Sequence, residues 1–293
     1  MDHMKFLIGM MRRVCDIAPP TQKVTAVAAE LDSILSDESR IGTIPSILRS
    51  MRLSTANAKD LWSEDTRRIL NQLQSYDYTS APSSNAFYHE ATDKMSEVIT
   101  NINAFVGLSL ESMTRDGGWL LLDCGRRIEQ AQFILAVLIE TLGKRHPESQ
   151  EPLIREAVLV SLDSLVTYRR TYTTQLRLDL TLELMLLDPN NPRSLLYQVN
   201  QLERHILKLP ETTEDEDGES PVVVLLRQVH ERISLLSVNH LLEISEVTER
   251  REGLIFRLRD ISDKLSELAR SLDQLYFRHA DNFKPITGEV DAA

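Results

Sequence analysis

The stretch GGWLLLDCGRRIEQAQFILAVL, residues 117–138, sets an arginine and a glutamate three residues apart, Arg126 and Glu129, inside an otherwise apolar run. Residues at that spacing share a helix face and can pair. Three kinds of chemistry are open to them. The Arg126 guanidinium is a planar fork that fits a carboxylate or a phosphate. Glu129 in a closed site is a candidate general acid or base, with arginines stabilising an oxyanion. The third reading is a buried ion pair tying helices together, a poor source of stability because desolvation offsets much of its attraction.

Two further clusters carry candidate residues. VTYRRTY places Tyr168, Arg169, Arg170 and Tyr172 at or beside a helix junction. In LLDPNNPRSLLYQVNQLERHILKLP, Asp188, Pro189, Asn190 and Asn191 stop one helix, Pro192 starts the next, and Asn191 is the candidate N-cap. Arg193 then falls in a first helical turn, where the helix dipole disfavours a cation unless an acid pairs with it. Asp188, Asn191 and Pro192 are read as turn-shaping. Arg126, Glu129, Arg169, Arg170 and Arg193 are read as contacts to a ligand or as an inter-helix polar network.

Other signatures are missing from the sequence. There is no Walker-type glycine loop, no G-x-G-x-x-G and no G-x-S-x-G elbow. His240 and Glu243 form a single reversed H-x-x-E rather than the paired Glu-x-x-His segments of a di-iron bundle. His205 and His230, beside charged residues, read as solvated positions. Cys15 and Cys124 have neither C-x-x-C nor Cys/His spacing, so no zinc site or disulfide framework is predicted. No metal and no cofactor is implied.

The elements that must position these residues are helices. Apolar residues recur at three- and four-residue spacing almost throughout, with no sustained alternation. Aromatic residues make up only 5% of the chain, and 10 Gly and 11 Pro punctuate it. The prediction is an all-α, multi-helix bundle with long antiparallel helices, a single domain over residues 1–293. Around the helix of residues 117–143, Asp123, Arg127, Gln130 and Thr141 gather on one narrow polar side. Arg126 and Glu129 share a stripe with Leu122, Phe133 and Val137, next to a face of Leu121, Ile128, Leu135 and Leu142. Such a helix runs through the middle of a bundle. Gly125 removes a side chain there, which predicts close approach of another helix or a ligand.

Helices are also expected through about residue 15, from Thr21 to about Leu35, and from an N-cap at Thr43 with Pro45 in the first turn, with a break before SEDTRRILNQL. YDYTSAPSSNA reads as a loop before a long helix from near His89 to Met113. Further helices are predicted at about 150–168, 171–187, 192–208, 221–250 and 253–281. PETTEDEDGESP reads as a solvated acidic loop, at about 210–221, before a C-terminal helical hairpin, and KPITGEVDAA as a frayed tail.

The formal net charge of -11 argues against a broad nucleic-acid surface, which needs clustered Lys and Arg. No stretch approaches the roughly 20 apolar residues of a membrane span, and the apolar run at the N-terminus is too short for a signal peptide. A cytoplasmic location is expected.

Four stretches together resemble the bacterial Alpha-E domain family: SILRSMRLSTANAKDLWSEDTRRILNQL, GGWLLLDCGRRIEQAQ, YRRTY and LLDPNNPRSLLYQVNQLERHILKLP. The last is the most specific, with its Asp-Pro-Asn-Asn-Pro-Arg-Ser run followed by Gln198, His205 and Leu209-Pro210. The resemblance covers nearly the whole chain and implies an all-helical domain. It further implies association, in trans or by fusion, with a circularly permuted ATP-grasp ligase, and with a transglutaminase-like peptidase. The family's Gly-Arg-x-x-Glu-Arg motif resembles Gly125, Arg126 and Glu129, with Gln130 departing at the last position. A similar motif near the family's N-terminus would stand before residue 1 here, so the chain is expected to be a piece of a longer protein or to have lost that motif. The functions that follow are an accessory module of amide or peptide ligation that binds the ligase or an anionic ligand, an amide-chemistry enzyme with Glu129 as acid/base, or an adaptor for homo-oligomerisation.

Overall fold

A computed structural model describes residues 14–15, 17–18, 27–79, 86–210 and 220–277. Their regular structure is helical, apart from one isolated antiparallel bridge between Lys144 and Arg250. The chain divides into two compact units, Met1–Thr114 and Arg115–Ala293. Among the described residues no helix is long and apolar enough to cross a membrane.

The first unit contains α1 (Val27–Ser36), α2 (Ile44–Ala56), a 3-10 turn (Lys59–Leu61), α3 (Glu64–Gln74) and α4 (Phe87–Ser112). Thr43 stands at the N-cap of α2 with Pro45 just inside, as the sequence predicts, but its hydroxyl donates to the carbonyls of Asp37 and Arg40 at 2.6 and 2.8 Å instead of closing the helix end. Ser63 caps α3 by accepting from the Thr66 N–H. Small cores form around Leu35, Tyr78 and Phe87, and around Leu48, Leu73 and Val98. Glu30 and Arg40 make a buried pair at 2.6 Å.

The second unit is built on α5 (Gly117–Leu142). Asp116 accepts from the Trp119 N–H and starts the helix, and Gly143 ends it, its N–H bonded to Ile139 O at 3.2 Å. Leu135, Leu138 and Leu142 are fully buried, as expected of a helix apolar over most of its circumference. Around it lie α6 (Glu151–Ser161), α7 (Leu165–Thr171), α8 (Leu178–Leu186), α9 (Leu195–Ile206), α10 (Pro221–Ser234), α11 (Val238–Leu242) and α12 (Glu252–Tyr276). In α12 the buried residues Leu254, Leu258, Ile261, Leu265, Leu268 and Leu272 alternate at four- and three-residue steps, the seam that long packed helices share. Gln132 bonds Ser262 O at 2.8 Å and Ser266 Oγ at 3.0 Å, while Gly143 meets Ile255, so α5 and α12 run antiparallel.

Several predicted boundaries shift. The helix expected over about 150–168 is two, because Asp163 adopts φ 48° and the Ser164 N–H turns back to Leu159 O at 2.7 Å. The helix expected over about 221–250 breaks after Ser234 and stops at Leu242, and the following turn returns the chain so that Arg251 reaches the end of α5. The helix expected from Pro192 begins at Leu195, because Ser194 rather than Asn191 is its N-cap, accepting from the Tyr197 N–H at 3.1 Å. The first predicted helix, the acidic loop and the C-terminal tail lie wholly or largely outside the described residues.

Candidate functional site

Arg126 does not pair with Glu129. It turns back one helical turn, where its Nε donates to Asp123 Oδ1 at 2.9 Å and its Nη2 donates to the same oxygen. Arg127 donates from Nε to the other oxygen, Oδ2, at 3.0 Å. These are i,i+3 and i,i+4 contacts, the neighbour spacings of a helix. His205 of α9 closes the set, its Nε2 2.8 Å from Asp123 Oδ2. One carboxylate, 3% exposed, thus sits between two guanidinium groups and an imidazole.

The surroundings fix these groups. Arg127 Nη1 donates to Gln198 Oε1 at 3.1 Å, and buried Gln198 donates from Nε2 to Pro192 O. The turn before α9 is therefore joined to α5. Within that turn Asp188 Oδ1 accepts from the Asn190 and Asn191 N–H groups, and Asn191 Oδ1 accepts from the Arg193 N–H at 3.1 Å. Trp119 meets the His205 ring edge-on with centroids 5.0 Å apart, and Arg115 lies over Trp119 at 4.2 Å. The Arg127 guanidinium lies 5.7 Å from the Tyr197 ring centre.

Electrostatics follow from this geometry. Burial pushes the Asp123 carboxyl up, but hydrogen bonds and charge from Arg126 and Arg127 outweigh it and hold the group below its ordinary value. Burial pushes His205 down; Asp123 opposes that shift, and Arg127 and Lys208 reinforce it. The neighbouring Cys124 thiol, 1% exposed, is pushed up to about 12, first by burial and then by Asp123, so it is no nucleophile at neutral pH.

The remaining predicted residues are placed apart. Glu129 is exposed on α5 and Phe133 is 39% exposed, whereas Asp123 and Thr141, read as part of the narrow polar side, are buried. The sequence reading therefore mis-assigned the polar face: it turned Glu129 inward with Arg126 and left out Asp123, a carboxylate that two arginines can carry inward. Gly125 is exposed, with nothing among the described residues within 4 Å of where a Cβ would stand, so no described helix makes the close approach predicted there. Arg169 pairs with Glu156 at 3.0 Å and Arg193 with Asp163 at 3.3 Å, each half-exposed, while Arg170 is exposed. Arg193 lies before the Ser194 N-cap and not in a first helical turn, so its pairing with Asp163 is a surface contact of the turn. Tyr168 is fully buried, donating to Gln175 O and accepting from the Arg177 N–H, a strut between α7 and α8.

Sequence reasoning missed Asp123, Arg127, Gln198 and His205 as a group. The signal was present in the i,i+3 and i,i+4 steps from Asp123 to two arginines, and in the i,i+7 step from Gln198 to His205 along one face of α9. Among the described residues no group of three or more His, Cys, Asp and Glu could hold a metal ion.

The fold defines an all-α, multi-helix bundle domain. The model of the Alpha-E family, described as a predicted alpha-helical domain with a conserved ER motif, matches residues 2–277, and the chain belongs to that family. An uncharacterized protein of Mycobacterium tuberculosis and another of Mycobacterium bovis are each similar to it, 29% identical over 253 residues, covering 83% of this chain and 28% of theirs. The chain spans less than a third of the length of the curated relatives it matches. No solved structure matches it.

Proposed function

We propose that this chain is an accessory, non-catalytic module of an ATP-grasp-linked peptide or amide ligation system, and that it receives the ligase, or a carboxylate- or phosphate-bearing ligand, through Arg126 and Arg127. The observation that carries the anion-binding part is the two-to-one ratio of guanidinium groups to carboxylate at Asp123. Partly buried surplus positive charge in a chain of net charge -11 favours an anion. The ligase, with a transglutaminase-like peptidase as a further partner, is proposed from the family resemblance. That this chain covers only 28% of its relatives' length fits a module working beside other domains.

The test is capture of a purified ATP-grasp ligase by the wild type and by Arg126→Ala at matched helical content. Binding by the wild type and at least tenfold weaker binding by the variant is the expected result. Equal binding by both removes Arg126 from the interface, and binding by neither removes the ligase.

A second reading, an adaptor for homo-oligomerisation, is favoured by Arg169 and Arg193 being paired within the chain, to Glu156 and Asp163. Light scattering on the eluting protein separates the two, since an adaptor is oligomeric without ligase. Catalysis by Glu129 requires a closed pocket around it, and its exposure on α5 weighs against that reading.

A further inference from the structure

Each Asp123 oxygen has two nitrogen partners, from one residue at Oδ1 and from two at Oδ2. Oδ1 takes both bonds from Arg126, and Oδ2 is shared by Arg127 Nε at 3.0 Å and His205 Nε2 at 2.8 Å. An imidazole nitrogen hydrogen-bonded to a carboxylate carries a proton, so a neutral His205 has its lone pair on Nδ1. That atom is buried, without a hydrogen-bond partner among the described residues. A second proton on the ring therefore has to enter a buried, unpartnered position, and burial holds His205 below its ordinary value accordingly.

Arg126 differs from the other three members. Its side chain is 27% exposed, against 13% for Arg127, 12% for His205 and 4% for Asp123. It reaches Asp123 from one turn along the same helix, so rotation about its own side-chain bonds carries the fork to solvent without moving a backbone atom. Arg127 is tied to Gln198 and cannot leave as freely.

We propose that Arg126 is the entry side of an oxyanion site, and that filling this site is coupled to uptake of one proton by His205. This rests on the reading of Arg126 as a ligand contact given above. An incoming phosphate- or carboxylate-type oxyanion takes the Arg126 fork from Asp123. The carboxylate loses two N–H donors and a neighbouring cation, and keeps Arg127 and His205. With less positive charge around it, the ring favours the imidazolium form, and the proton comes from solvent to Nδ1. No covalent bond other than that N–H forms or breaks.

The charged groups facing His205 are Asp123 and Arg127 from α5, with Arg126 behind Asp123, and Lys208 just past the end of its own helix. Arg115 stacks on Trp119, which touches the ring. On α10, His230 lies 3.3 Å from Glu203, which is two residues from His205 and so on another face of α9. Removing one cation from this set and adding an anion both raise the affinity of the ring for a proton.

The probe is sulfate, which does not titrate near neutrality. The His205 imidazole in the full 293-residue chain, assigned with His205→Gln, is titrated by nuclear magnetic resonance in sodium sulfate and in sodium chloride of equal ionic strength. Sulfate should raise the His205 pKa by about one unit relative to chloride. The difference should vanish in Arg126→Ala, shrink in Arg126→Lys, which keeps charge but not the fork, and persist in Glu129→Ala. Identical titrations in the two salts, or a sulfate effect that survives in Arg126→Ala, overturn the proposal. A sulfate-insensitive His205 together with lost ligase capture in Arg126→Ala removes the proton coupling and leaves the partner reading standing.

Discussion

At the scale of single residues, Asp123 separates two quantities that the charge pattern alone confuses. It is buried and carries three partners, so removing it leaves two guanidinium groups and an imidazole without their acceptor. Asp123→Ala should cost about 3 kcal/mol, the low end for breaking a buried pair, against about 0.5 kcal/mol or less for Glu129→Ala at the surface, both read from urea unfolding midpoints. Comparable losses for the two would show that Asp123 is not the centre of the cluster. The pH dependence has a definite sign. His205 is depressed in the folded chain, so as the pH falls below its ordinary 6.5 the unfolded chain takes up a proton that the folded chain refuses, and stability declines until the folded value is passed. Asp123 is also depressed; its contribution is full above its ordinary 3.8 and is lost as the pH falls through the folded value. Unfolding midpoints measured from pH 7.5 to 5 should therefore drop in the wild type and drop less in His205→Gln. A parallel decline in both would assign the acid sensitivity elsewhere.

At the scale of elements, two glycines on or beside α5 have opposite roles. A Cβ at Gly143 would stand 2.9 Å from Ile255 Cγ1 and 2.3 Å from Ile139 O, where α12 packs over the helix end. Gly143→Ala should cost about 1–3 kcal/mol by overpacking. A Cβ at Gly125 meets open space, so Gly125→Ala should gain about 0.5–1 kcal/mol from helix propensity alone. Differential scanning calorimetry on the pair checks both signs, and a destabilised Gly125→Ala would restore the close approach that the sequence suggested. The helices themselves were legible because residues such as Leu254, Leu258 and Ile261 repeat at helical steps, and α5 was legible as central because it is apolar nearly all round. The breaks at Asp163 and after Ser234 were not. The first is a local turn in which the Ser164 N–H reaches back to Leu159 O in the last turn of α6, the chain brings Arg251 to the end of α5 only after the later stop at Leu242, and neither break is marked by glycine or proline. The Asp123 cluster was half legible: its spacing along α5 stands in the sequence, but His205 and Gln198 enter only through the packing of α9.

At the scale of the molecule, the division after Thr114 places the whole Asp123 cluster and its supports, from Arg115 to Lys208, in one unit. A polypeptide of residues 115–277 should accordingly fold alone, with a helical circular dichroism spectrum and a cooperative thermal transition. A non-cooperative melt would mean that the first unit is needed to complete the second. The chain's two tryptophans are apportioned one to each unit: Trp62 meets Phe105 edge-on in the first, and Trp119 lies against His205 in the second. Each unit thus contains its own intrinsic fluorophore. Replacing either tryptophan with phenylalanine leaves emission from the other half only, so the order in which the halves come apart can be recorded without attaching a dye. Because an imidazolium quenches indole more strongly than a neutral imidazole does, Trp119 would also register, as a change in brightness, the ionisation state of the ring beside it.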